Sequence, residues 1–265
     1  MRAVLLAVAY LLIQGLIHAD PLPPVESVLH RVLTNSASEA KGDRLFRRQY
    51  RFVKTRSEVE SNAQGEVKKR SLVITTNEPK SVLGSTLKPD PAAASKSGAR
   101  RDRKRSRENS EKHSMEVDQE LLGHFDFVLE QREMIRERSA FLIAFTPKSV
   151  PPAKKDLADK FLQQIAGKVW VDEEDGVVVR LELRLLGPVD VVGGIAGSLK
   201  ALQFTSEREK TPQGHWFTRT TKGNVDSRQL FSRKVLDFSE TIEHAEPVGP
   251  HAALPQSTEE NKSRN

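Results

Sequence analysis

The stretch KVWVDEEDGVVVRLELRLL, Lys168 to Leu186, decides the fold. From Val177 the odd positions are all apolar: Val177, Val179, Leu181, Leu183 and Leu185. The even positions include Arg180, Glu182 and Arg184. Strict period-2 alternation marks a strand with one dry and one wet face. Asp175-Gly176 tolerates the positive φ of a tight hairpin turn. The stretch therefore reads as a β-hairpin. An even-length loop would set Trp170 opposite an odd-numbered residue, on the dry face. The acidic run Asp172 to Asp175 reads as a solvated turn, because it lacks the alternating ligand spacing of a calcium loop.

The alternation recurs upstream. Phe125, Phe127 and Leu129 share one face, and Phe141, Ile143 and Phe145 share another. Between this pair of strands and the hairpin, 156–166 reads as a short amphipathic helix with Gly167 as its C-terminal cap. Downstream, Gly187 to Ser198 is glycine-rich and apolar, and lacks the Gly-Lys-Ser/Thr ending of a phosphate loop. It reads as an apolar loop at a sheet edge. Leu199 to Lys210 and His215 to Thr221 form a further hairpin about Pro212-Gln213-Gly214, and Gln229 to Glu243 is a last strand or strand pair, with Leu236, Phe238 and Ile242 on one side.

Nearer the start, Val25, Val28, Leu29, Val32 and Leu33 follow helical spacing behind Pro24, which predicts a helix over 24–33. Arg44 to Thr76 holds two strands or more, turning at Asn62 to Gly65. The antiparallel sheet thus accounts for most of a single domain spanning 20–246.

The flanks read differently. Met1 to Ala19 has a positive start, an apolar run and a small residue before Pro21. This is the pattern of a secretory signal peptide, and the run is short for a membrane span. The mature chain is then expected to be soluble and exported. Residues 85–113 carry prolines, small residues and the basic run Arg100 to Arg107, and read as a disordered insertion. That run could touch an anionic membrane surface. Export and the lack of aromatic residues in the run argue against nucleic acid. The tail, 247–265, is polar and reads as disordered.

Composition narrows the chemistry. The chain has 265 residues, a net charge of +6 and no cysteine. Thiol nucleophiles, disulfides and cysteine metal sites are excluded. The histidines are scattered, with no metal-binding pair and no nucleophile elbow. No catalytic residue, metal or cofactor is assigned. A hydrolase would need a polar cleft with convergent carboxylates.

The runs FDFVLEQREMIRERSAFLIAFTPK (125–148), FLQQIAGKVWVDEEDGVVVRLELRL (161–185), the glycine-rich loop and SEREKTPQGHWFTRT (206–220) together resemble the LolA/LolB-like periplasmic carriers of outer-membrane lipoprotein sorting. The resemblance covers Gly123 to Glu243. The basic insertion and the polar tail depart from it. It implies a mainly β (α+β) fold, a curved antiparallel sheet forming a half-barrel wrapped around a few helices. It implies a non-catalytic, periplasmic carrier that holds acyl chains of a lipid or lipoprotein in an apolar concavity. The residues it points to are Phe125, Phe127, Leu129, Phe141, Ile143, Phe145, Trp170, Val177, Val179, Leu181, Leu183 and Leu185. The alternative is an envelope interaction or sensor protein using the same fold without lipid, its partner at the basic insertion or a sheet edge.

Overall fold

The computed structural model describes residues 21–79, 118–150, 157–191, 197–230 and 232–248. The segments read as a signal peptide (1–19), a basic insertion (85–113) and a tail (beyond Val248) lie outside the described residues, as does 192–196 of the glycine-rich loop.

The chain opens with a long helix, α1 (Val25–Gln49), and enters a hairpin of β1 (Tyr50–Ser61) and β2 (Val67–Asn77). A single-turn α2 (Gln119–Leu122) precedes β3 (Phe125–Ile135) and β4 (Arg138–Pro147). The short α3 (Leu157–Leu162) leads into β5 (Ile165–Asp172), β6 (Val178–Leu185) and β7 (Val189–Val191). Three long strands finish the chain: β8 (Gly197–Lys210), β9 (Trp216–Gln229) and β10 (Ser232–Pro247).

All the strands join one curved, unclosed ten-stranded sheet in the order β2-β1-β10-β9-β8-β6-β5-β4-β3, with β7 beside β8. Every pair is antiparallel. The first and last strands meet near one side of the sheet, where β1 pairs with β10 beside the end strand β2. Among the described residues that leaves β2 and β3 as the end strands, with the short β7 paired on one side only.

Helix α1 lies across one face. Its 25 residues span about 37 Å. Val28 and Val32 are buried against Phe141, Ile143 and Val171. At the other end Phe46 stacks on Phe217 with centroids 4.3 Å apart, and on Tyr50 and Phe52. The sequence showed only the first third of this helix. Residues 34–45 carry few large apolar side chains, so no stripe announces them; polar contacts with β8 hold them instead. Glu39 and Asp43 both pair with Arg208. Arg44 to Gln49, the start of the span read as strands, belongs to this helix, and the first strand begins at Tyr50. The third helix is shorter than 156–166 because Ile165 already pairs with Leu185, and Gly167 sits inside β5 rather than capping a helix.

Gly167 is needed where it stands. It pairs with Phe145, whose ring lies over it, and a Cβ there would sit 2.0 Å from the Glu182 carbonyl oxygen and 2.7 Å from that ring. Gly223 repeats the device: it pairs with Phe238, whose ring occupies the space of a side chain. A strand glycine covered by a cross-strand aromatic lets two backbones and a ring pack in one layer.

The hairpin at 168–186 is present, but its faces are not as the alternation implied. A bulge falls at Trp170/Val171: Trp170 pairs with Arg180, while Val171 pairs with Val178. The extra residue, Val179, goes with Trp170. Both join Ala140 and Leu142 in a cluster on the face opposite Val169, Val171 and Leu181. Val177 is buried in the turn, just before β6.

Replacing Gly167 by alanine should lower unfolding stability by about 2–3 kcal/mol, because the obstacle is backbone and cannot swing away. A urea unfolding curve measures this, and a loss below about 0.5 kcal/mol would show that β5 and β6 can move apart there.

Candidate functional site

The acidic turn builds the junction that positions everything else. Asp172 ends β5 with a side chain that is 1% exposed. Its Oδ2 accepts from Arg138 Nε at 2.6 Å and its Oδ1 from Arg138 Nη2 at 2.7 Å, a bidentate fork. Oδ1 also accepts from the backbone N–H of Glu174 and Asp175, closing the turn from inside. Gly176 completes it at φ +64°. Asp175 Oδ2 accepts from Arg138, Lys210 Nζ and Trp216 Nε1. Glu173 accepts from Arg132 and Ser139. The outward carbonyls are used too: Arg31 donates to Glu173 and Glu174, and Asn35 to Asp175. Far from being a solvated turn, the run ties α1, the β3–β4 hairpin and the β8–β9 hairpin to one point. A closed run of acids looks solvent-facing in sequence; only its scattered cations, distant in the chain, show otherwise.

Burial raises the Asp172 carboxyl, but the Arg138 fork and the two backbone N–H groups outweigh it and hold it below its ordinary value. Glu39 and Asp43 go the other way. Burial pushes both above the ordinary carboxylate range, against the pull of Arg208. These two carboxylates close on one arginine, Arg208, shared between helix and sheet. A small cavity of about 100 Å³ sits beside the junction, lined by Arg138, Asp172, Arg208, Lys210 and Trp216. No cluster of His, Cys, Asp or Glu fit to hold a metal occurs among the described residues.

The apolar residues singled out in the sequence divide into two faces. Phe125, Phe127, Phe145, Leu181, Leu183 and Leu185 meet in one cluster with Ile165, which α2 and α3 cover through Leu121, Phe161 and Leu162. Phe141, Ile143 and Leu129 meet under the start of α1. Trp170 and Val179 stand on the far face, where Trp170 donates to Glu133 and Arg180 lies 4.8 Å over its ring. Phe141 and Ile143 are fully packed core.

What the sequence did not show is how this apolar face continues. Leu183 pairs with Phe204, Phe204 with Gly223, and Gly223 with Phe238. One rung over, Leu202 pairs with Val225 and Val225 with Leu236. Paired residues share a face. The rungs therefore extend the Leu181–Leu185 surface across β8, β9 and β10 as a single trough. Leu183, Leu202, Phe204, Val225, Leu236 and Phe238 are each only partly buried. Helix α1 crosses the same strands elsewhere, at Val178, Arg208, Phe217 and Ile242. At about 3.3 Å per residue, Phe204 and Phe238 lie roughly 13 Å along their strands from that crossing. A groove of about 380 Å³ is lined mainly by Ser57, Val59, Gln203, Thr205, Lys222, Asn224, Asp237 and Ser239, from the face opposite the trough, and Phe204, Gly223 and Phe238 also contribute to its lining.

No family model matches the chain, and no curated protein matches its sequence. Solved structures do. A DUF1329 family protein from Desulfovibrio piger is similar at 14% identity over 78% of this chain and 91% of its own, with a TM-score of 0.26. A LolA superfamily protein from Nitrosomonas europaea is similar at 12% identity over 79% and 94%, with a TM-score of 0.24. A putative outer membrane lipoprotein-sorting protein domain from Vibrio parahaemolyticus is similar at 9% identity over 84% and 96%, with a TM-score of 0.27. Among the described residues no helix is long and apolar enough to cross a membrane.

Asp172→Asn should lower stability by about 1.5–3 kcal/mol at neutral pH, since it removes the buried carboxylate of the fork and leaves Arg138 only its contacts with Asp175 and Glu174. The native carboxyl's pKa is depressed, so its contribution is present above the ordinary value of 3.8 and fades as pH falls through the depressed one. The gap between wild type and variant should therefore narrow in acid. Thermal melts across that range check the sign; a gap that widens would contradict the junction.

Proposed function

We propose that the chain is an exported, non-catalytic carrier of the periplasm that holds an acyl chain of a lipid or lipoprotein in the trough formed by Leu183, Leu202, Phe204, Val225, Leu236 and Phe238. One observation carries this reading: a contiguous apolar surface, continuous with the core, is only partly buried on the face where α1 packs. Partly buried side chains of this kind gain when another apolar group completes their cover, by about 0.8 kcal/mol per methylene buried. Eight methylenes would supply about 6 kcal/mol before the cost of immobilising the ligand. Phe125, Phe127 and Phe145, with Leu181 and Leu185, form the covered end of the same surface. Trp170 and Val179 have no part in it, since they belong to the opposite face. The perturbed carboxylates serve as anchors paired with arginine, which supports a binding role over a hydrolytic one.

Native mass spectrometry of the chain incubated with phospholipid tests the proposal. The wild type should acquire a discrete added mass that organic solvent releases as lipid. Phe204→Asp, in the trough, should reduce uptake by at least about tenfold, because a carboxylate must be desolvated there. Val128→Asp, an exposed position elsewhere, should leave it unchanged. Absence of uptake by the folded wild type, or equal uptake by Phe204→Asp, would overturn the reading.

A further inference from the structure

The two end strands of the sheet are built differently. β3 is protected: a bulge between Leu129 and Gln131 breaks its register, and Asp126, Glu130, Arg132 and Glu133 place charge along it. Bulges and charged side chains, lysine above all, are the usual defence of an edge strand, and β2 carries them only at its start, from Val67 to Arg70. β2 has neither along most of its length. Its pairing with β1 runs without a break from Lys69 to Asn77. Leu72, Val73 and Ile74 are consecutive and exposed at 66%, 50% and 63%, followed by two threonines. This is an open row of backbone donors and acceptors flanked by β-branched side chains.

Charge says what fits there. Lys68, Lys69 and Arg70 lead into the apolar part, and β2 has no acidic residue. Lys68 is paired with Glu66, but Lys69 and Arg70 form no ion pair among the described residues. Two copies joined antiparallel through β2 would set the cations of each against Ile74 to Thr76 of the other, so neither charged end would find a carboxylate. A strand carrying carboxylates at one end and aliphatic residues at the other would match both halves. We infer that the β2 edge is a docking strand for an extended acidic and aliphatic segment of a partner protein, added to the sheet by backbone pairing. Main-chain hydrogen bonds would supply the affinity and the Lys69–Arg70 end the register. This surface is separate from the trough, so the inference stands apart from lipid carriage.

The test uses the full chain and capped, fluorescently labelled peptides of eleven residues, the length of β2. Each alternates threonine and valine. One ends in three glutamates at its C-terminus, the end that antiparallel addition sets against Lys68 to Arg70. A second has lysines in their place. A third is the glutamate peptide with alternate amides N-methylated along one edge. Anisotropy should show the glutamate peptide bound at least about tenfold tighter than the lysine peptide, with the N-methylated peptide losing binding. The double variant Lys69→Glu and Arg70→Glu, both exposed and so tolerant of change, should reverse the charge preference at an unchanged melting temperature. Binding of neither peptide, equal binding of both, survival of binding after N-methylation, or self-association of the chain through β2 in sedimentation would each overturn the inference.

Discussion

The fork between Asp172 and Arg138 is the constraint on which the rest of the molecule depends. A buried carboxylate is tolerable only when its charge and lone pairs are matched, and this one is matched by a guanidinium and two backbone N–H groups. Matching it closes the β5–β6 turn in a shape that points three carbonyls outward. Arg31 and Asn35 take those carbonyls, so the first half of α1 is pinned to the end of a hairpin. Stacking of Phe46 on Phe217 pins the second half. A long helix held at both halves has little choice of path. It crosses the strands near Val178, Arg208, Phe217 and Ile242, and the apolar surface farther along those strands stays only partly buried.

The architecture was legible where a single strand carries its own alternation. Phe141, Ile143 and Phe145 do share a face, as do Leu181, Leu183 and Leu185, and the antiparallel sheet follows from such runs. Bulges are where that logic stops. One extra residue at Val179 moves it and Trp170 to the opposite face, and no local feature of VVVRLEL marks the position. The length of α1 was hidden for a different reason. Its middle, TNSASEAKGDR, is held by ion pairs to Arg208, more than 160 residues away in the chain, and tertiary partners of that kind leave no periodic trace.

The trough was hidden most fully. Leu202 and Phe204 flank Gln203, Val225 stands between Asn224 and Asp226, and only the Leu236, Phe238 and Ile242 side of the last strand showed in the sequence. Register alone aligns them, with Gly223 admitting the Phe238 ring between neighbours. The edge strands make the same point in reverse. β2 and β3 are similar in length, yet the mid-strand bulge and mixed charges of β3 against the unbroken Lys69–Asn77 pairing of β2 become visible only once both are known to be end strands.

The most direct measurement of the central claim is photo-crosslinking with a phospholipid bearing a diazirine near the end of its acyl chain, followed by peptide mapping. The account predicts labels within 181–185, 202–204, 225 and 236–238, on alternate residues that share the trough face. Labels on Ser57, Gln203, Thr205 or Asn224, the opposite face, would contradict it, as would a folded protein that takes no label at all.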